Sequence, residues 1–193
     1  MEYRRLGKSG LRVSELSYGS WVTFSFQLDK AKAKKTMKHA YDAGINFFDN
    51  AEVYAAGESE KIMGAALTEL GLQRDTYTVS SKVFFGGQLV TQRGLNAKHI
   101  RDGCDAALKR LNLDYLDLFF CHRPDFHTPV EETVRAMDVL VKQGKILYWG
   151  TSEWPADRIR EAYLMAYKYG LTPPSMEQPE YNMFNRMKLE KEY

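Results

Sequence analysis

A parallel α/β fold of the barrel kind is what this sequence predicts, and three observations carry the prediction. Six segments of strand character, Leu16 to Gly19, Ile45 to Asp49, Tyr77 to Ser81, Leu116 to Cys121, Ile146 to Gly150 and Pro174 to Gln178, alternate with segments whose apolar residues recur at helical spacing. The connections leave room only for crossovers, so the strands run parallel. That pattern fits both a doubly wound sheet and a barrel. No Gly-x-Gly-x-x-Gly follows an early strand, which removes the usual dinucleotide fingerprint of the open sheet. The strand ends then decide for the barrel. Gly19-Ser20-Trp21, Asp49, Lys82, His122, Ser152 and Gln178 bring polar or functional groups from six successive strands to one face, as barrel enzymes arrange them.

The elements follow in order. Tyr3 to Val13 reads as a β-hairpin with Gly7-Lys8-Ser9-Gly10 at its turn. After the first strand, Asp29 caps a helix with Ala33, Met37, Ala40 and Tyr41 on one face and Gly44 at its end. The second strand ends abruptly in Asp49, the mark of a buried strand opening into a pocket, and Tyr54 stands just above that rim. Glu58 to Leu70 forms the next helix, with Ile62, Met63, Ala66, Leu67 and Leu70 inward and Gly71 as its stop. The third strand runs into Lys82. Asn96 caps a helix striped by Ile100, Cys104, Ala107, Leu108 and Leu111, and the fourth strand delivers His122. Pro129 opens a helix with Val130, Val134, Met137, Leu140 and Val141 inward, Gly144 follows it, and a further helix runs from Pro155 to Tyr169. Asn185 onward begins another helical pattern.

Composition sets limits on function. The 193 residues, 44% hydrophobic and 27% charged, suit one domain with a sizeable core. The 27 basic and 25 acidic residues are interspersed, which leaves no electrostatic footprint for nucleic acid or a membrane surface. The densest basic cluster, Lys30 to Lys35, reads as a solvated helix face. Cys104 and Cys121 have neither metal-ligand nor disulfide spacing, read as small buried residues and fit a reducing, cytoplasmic setting. No signal-peptide pattern opens the chain, and no apolar run approaches the ~20 residues of a membrane span.

Each strand-end residue has an ordinary explanation alone: Asp49 as a cap, Lys82 as a surface cation, His122 as a loop histidine. Together they place an acid, a phenol, an amine and an imidazole on one rim, which is a proton-transfer constellation. The chemistry it suits is reduction of a carbonyl by hydride, in which the oxygen becomes an alkoxide and needs a proton from a positioned acid. Tyr54 supplies the proton, and Lys82 lowers the cost of releasing it by favouring the ionised phenol. Asp49 keeps the ammonium charged and fixed, while His122 donates a hydrogen bond to the carbonyl oxygen. His99 and His127 lack strand-end placement and read as surface residues. Trp21 reads equally as a packing anchor and as a pocket wall.

These residues resemble the aldo-keto reductases over essentially the whole chain. The likeness is carried by Leu6-Gly7-Lys8-Ser9-Gly10-Leu11-Arg12-Val13-Ser14, Asn46 to Tyr54, Ser81-Lys82-Val83-Phe84, His122-Arg123-Pro124-Asp125 and Tyr148-Trp149-Gly150-Thr151-Ser152. Trp21 to Phe24, Glu52 to Gly57, Arg93-Gly94-Leu95, Glu131 to Met137 and Glu177 to Asn182 are similar to the branch of voltage-gated potassium channel β subunits and their bacterial oxidoreductase relatives. The resemblance implies a (β/α)8 TIM barrel, NADPH/NADP+ as cofactor and the tetrad Asp49, Tyr54, Lys82 and His122. It also implies cofactor contacts at Ser20, Trp21, Gln27 and Asp49, with Ser152, position 153 and Gln178 at the nicotinamide carboxamide. Glu153 stands where many members carry Asn. The substrate, a small carbonyl compound, would meet Trp21, Tyr54 and His122. Channel β subunits carry Asn at the place of His122, so this histidine points toward the enzymes.

A barrel of this kind takes ~250 residues and eight strands, and six βα units are countable here. The expectation is one barrel domain over residues 1–193, incomplete at its C-terminal end, within a longer protein. Family members carry two further units whose loops wrap the cofactor's phosphates. The branch also implies a homotetramer. Two alternatives to the reductase follow: an NADPH-loaded regulatory β-type channel subunit with little turnover, and an inactive truncated barrel without cofactor affinity.

Overall fold

Residues 78–83 and 116–121 are buried at every position, on both faces of their strands, and the rest of the molecule is laid around them. The computed structural model describes all of residues 1–193. An antiparallel hairpin, β1 (Tyr3–Arg5) and β2 (Arg12–Ser14), comes first. Six strands follow in a single sheet: β3 (Tyr18–Gly19), β4 (Phe47–Asp49), β5 (Thr78–Val83), β6 (Leu116–Cys121), β7 (Ile146–Ser152) and β8 (Glu177–Gln178). Their spatial order is their order in sequence and every pairing is parallel. The sheet curls as part of a barrel, with α1 (Lys30–Asp42), α2 (Glu58–Leu70), α3 (Ala97–Leu111), α4 (Val130–Lys142) and α5 (Ala156–Tyr169) as the crossovers.

The hairpin covers the amino-terminal ends of these strands. Tyr3 Oη donates to the Gly44 carbonyl before β4, and the Ser14 amide donates to Asn46 Oδ1. At the other side, a Cβ on Gly7 would lie 2.5 Å from the Ser175 carbonyl oxygen ahead of β8. One small hairpin therefore touches the sheet near both of its edges, which only a curled sheet permits.

Helix ends form where the sequence places them. Asp29 accepts from the Lys32 amide and Asn96 from the His99 amide, while Gly71 and Gly170 close their helices in the left-handed conformation. Lys30 and Lys34 pair with Glu69 on the solvent side, as a solvated face requires. Cys104 and Cys121 are buried free thiols. The core joins these helices to the sheet through Met37, Met63, Ile100, Leu111, Val134, Met137 and Trp149.

Three expectations need correction. The first and last strands are two residues long rather than four or five. The third and fifth run two residues past their expected ends, so Lys82 and Ser152 lie in strands and not beyond them. The helical pattern from Asn185 forms only a π turn, Lys188–Glu192. There Asn182 Oδ1 accepts from the Phe184 and Asn185 amides, a local turn that competes with the helix.

The α2–α3 contact yields a first prediction. A Cβ on Gly64 would stand 2.3 Å from the Leu111 carbonyl oxygen, a backbone atom that cannot step aside. Ala is ordinarily better than Gly inside a helix by about 1 kcal/mol. Gly64→Ala is nevertheless expected to lower stability by about 1–3 kcal/mol through overpacking, read as the shift in urea midpoint at constant slope. A gain in stability would show that the helices do not approach this closely.

Candidate active site

Alternation along β5 builds the centre of the site. Ser80 and Lys82 point to one face and Ser81 to the other, as the two-residue period of a strand requires. Ser80 Oγ donates to Asp49 Oδ1 at 2.6 Å, and Lys82 Nζ donates to Asp49 Oδ2 at 2.6 Å. On the opposite face Ser81 Oγ donates to Glu60 Oε1, and Glu60 Oε2 accepts from Arg110 Nε, which braces β5 against α2 and α3. The Lys82 side chain has no solvent exposure and Asp49 is 8% exposed. A buried ammonium needs partners for all three of its hydrogens. Lys82 has them: Asp49 Oδ2, the Asn50 carbonyl at 2.8 Å and Tyr54 Oη at 3.3 Å.

The loop after β4 carries Tyr54 into this position. Ala55 and Ala56 both adopt left-handed φ, 49° and 53°, and Gly57 follows at 89°. Such a run is costly for residues with a Cβ. Six non-glycine residues have positive φ, and five of them, Val22, Ser25, Ala55, Ala56 and Glu153, lie in loops at the carboxyl ends of β3, β4 and β7. Backbone strain thus collects at the face that carries the site.

Around Tyr54 the rings close in. Trp21 stacks on it at 6.2 Å between centroids, and His122 meets it edge-on at 5.9 Å. Trp21 is 66% exposed, so it walls a hollow of about 600 Å³ with Ser20, Phe24, Phe26 and Tyr54 rather than anchoring the core. Phe85 stands edge-on to the other side of His122 at 5.3 Å.

The electrostatics differ in part from expectation. Burial raises the Tyr54 phenol above its ordinary value; Lys82 pulls the other way without prevailing, and Asp49 adds to the rise. Lys82 thus favours the ionised phenol as expected, but burial outweighs it, and the net shift is upward. His122 is pushed down to about 3, by burial first and then by the Lys82 and Arg123 cations, so its imidazole is neutral at ordinary pH. Its Nδ1 is buried without a partner. With no acceptor facing Nδ1, the single hydrogen of the neutral ring is cheaper on Nε2.

The remaining expected residues fall on the same face. Ser20, 1% exposed, donates through both its amide and its Oγ to the Asp49 carbonyl, tying β3 to β4. Gln27 is exposed in the loop before α1. Ser152 Oγ donates to the Gln178 carbonyl at 2.9 Å and accepts from Arg123 Nη1 at 3.4 Å. Glu153 turns away. Its carboxylate receives Lys188 Nζ at 2.9 Å and the Glu180 amide, which outweigh burial and hold it below the ordinary carboxylate value.

His99 corrects the sequence reading: it is 3% exposed, not a surface residue. Its Nδ1 meets the Gly94 carbonyl at 2.8 Å and its Nε2 lies 3.4 Å from Glu52. Gly103, one turn on and equally buried, was the available signal that this helix edge faces inward. His127 is exposed, as expected. Ser80 was also legible, since it shares the face of Lys82 two residues on. The roles of Asn50 and Arg123 were not, because one acts through a main-chain carbonyl and the other depends on the β6–β7 register.

No helix is long and apolar enough to cross a membrane. The chain matches two proteins named "Probable voltage-gated potassium channel subunit beta": one from Oryza sativa subsp. japonica at 55% identity and one from Arabidopsis thaliana at 54%, each over all 193 residues. It spans 59% of the length of each. The sequence model of the Aldo/keto reductase family matches residues 15–192, which include every residue of the buried Asp49–Lys82–Tyr54 cluster and His122. With a parallel half-barrel carrying that cluster at its strand ends and a family match across nearly its whole length, this chain belongs to the aldo/keto reductase family.

Proposed function

We propose that this chain carries the proton-donating site of an NADPH-dependent oxidoreductase that reduces aldehydes or ketones to alcohols by hydride transfer, with Tyr54 as the donor. The observation that carries the reading is the hydrogen-bond geometry of Lys82. Its ammonium donates to the phenol oxygen, so the phenol's own hydrogen is left for a substrate oxygen. Bound reduced nicotinamide supplies the hydride. As the carbonyl carbon accepts it, negative charge grows on oxygen, and Tyr54 Oη passes its proton there while Lys82 stabilises the phenolate left behind.

Asp49 and Ser80 hold that ammonium in place, so little reorganisation is needed when the charge moves. Neutral His122 donates from Nε2 to the same substrate oxygen and orients it. Trp21, Tyr54 and His122 surround the substrate and give it an aromatic wall. The residues present fit the nicotinamide end of the cofactor: Ser152 and Gln178 lie side by side at the ends of β7 and β8. They, with Ser20 and Gln27 from the first loop, are assigned to it. Glu153, already held by Lys188, is released from the carboxamide contact. A cytoplasmic homotetramer belongs to the same reading.

A second reading is favoured by the names of the two plant relatives: a cofactor-loaded regulatory β-type subunit of a potassium channel. One assay separates the two. Purified chain is mixed with NADPH and an activated aromatic aldehyde, with loss of reduced nicotinamide followed in one channel and cofactor binding, by protein fluorescence, in another. The reductase predicts both signals. Binding with no turnover of any aldehyde favours the subunit, and absence of binding contradicts both.

A further inference from the structure

Behind the site lies a buried acid that the mechanism does not use. We propose that Glu52 is a positioning residue for the Tyr54–His122 site, clamping the loop after β5 and with it the Phe85 ring that backs His122. This rests on the roles proposed for Tyr54 and His122.

Glu52 is 8% exposed and sits two residues before Tyr54. Its amide donates to the Lys82 carbonyl, so its main chain is tied to the strand that carries the ammonium. Its Oε1 accepts from two amides of the next loop, Phe84 at 2.7 Å and Gly86 at 2.9 Å. Those two bonds bracket Phe85, whose ring meets the His122 ring at 5.3 Å. One carboxylate therefore ties the loop bearing Tyr54 to the loop bearing Phe85, and through it to His122.

The other oxygen has its own support. Oε2 lies 3.4 Å from His99 Nε2, while His99 Nδ1 faces the Gly94 carbonyl at 2.8 Å. Nδ1 has the Gly94 carbonyl as its acceptor, and Nε2, without a hydrogen bond of its own, stands at ion-pair distance from Oε2, which favours a ring that carries both hydrogens. Burial works against that charge, yet Glu52 outweighs it and His99 lies above its ordinary value. There is no slack around the clamp. A Cβ on Gly86 would lie 1.7 Å from the Gln92 carbonyl oxygen and 2.6 Å from His99 Nε2, and one on Gly103 would lie 3.3 Å from Glu52 Oε2.

The test compares Glu52→Gln with Glu52→Ala in the full chain, reading amide hydrogen exchange at Phe84 and Gly86, the His122 ring proton shifts and aldehyde turnover. Glutamine keeps an acceptor oxygen for both amides, so exchange stays within about threefold of wild type and turnover is largely kept. Alanine frees both amides: their exchange rises about tenfold or more while β6 amides stay protected. The His122 shifts then move, and kcat falls about tenfold or more at near-constant cofactor affinity. Should Glu52→Ala not fold, Glu52→Asp withdraws the oxygen by one methylene and is read the same way. Unchanged exchange at Phe84 and Gly86 in the shortened variant overturns the clamp, as does glutamine failing as badly as alanine. Raised exchange with unmoved His122 shifts overturns the link to the site. The exchange and shift readouts need no turnover. A wild type that reduces nothing therefore refutes the reductase reading, while the clamp still stands or falls on those two readouts.

Discussion

Replacing Tyr54 with Phe is expected to cut aldehyde turnover by about 10²–10⁴-fold, the range supplied by a positioned general acid. Cofactor affinity should change by less than about twofold. The substitution removes one oxygen and leaves the ring between Trp21 and His122. Lys82 loses one acceptor of three but keeps Asp49 and the Asn50 carbonyl, so the buried ion pair survives. The loss should therefore fall on kcat, with KM nearly constant. Turnover within about tenfold of wild type would mean that water or His122 delivers the proton.

The second large effect is on stability. Lys82→Met is expected to cost about 3–5 kcal/mol, because it leaves Asp49 as an uncompensated buried charge. Ser80 would still donate to one carboxylate oxygen, but the other loses its only ionic partner. Adding Asp49→Leu removes the stranded charge and should recover most of that stability, as replacing a whole buried pair by apolar groups often does. It should not recover turnover. Equilibrium urea unfolding of the single and double variants checks this. A loss below about 1 kcal/mol in Lys82→Met would show that the pair is better hydrated than the structure has it.

Much of the site was legible because its residues close strands. Asp49 and His122 end or directly follow apolar runs, Lys82, Ser152 and Gln178 stand at or next to the carboxyl ends of their strands, and the sheet order β3 to β8 carries those ends to one face. Helix boundaries were legible wherever a side chain or a glycine caps the end, as at Asp29, Asn96 and Gly71. Other features depend on long-range packing. The two-residue lengths of β3 and β8 depend on pairing between segments far apart in sequence, which no local pattern encodes. The balance between burial and the Lys82 charge at Tyr54 depends on how deep the phenol sits, and His99 reads as solvated until α3 is docked on the loop after β5. The left-handed Ala55 and Ala56 had no signal at all, since alanine gives no warning of positive φ.

Which group gives up the proton is the central question, and the pH dependence of single-turnover reduction measures it most directly. Tyr54 lies above its ordinary value near 10 and His122 is pushed down to about 3, so neither group changes protonation between these limits. The predicted rate is flat from about pH 5 to about pH 9 and falls only as the Tyr54 phenol ionises at higher pH. A rate that instead falls through about pH 6 to 8, with the same profile in Tyr54→Phe, would assign the proton to His122 and contradict Tyr54 as the donor.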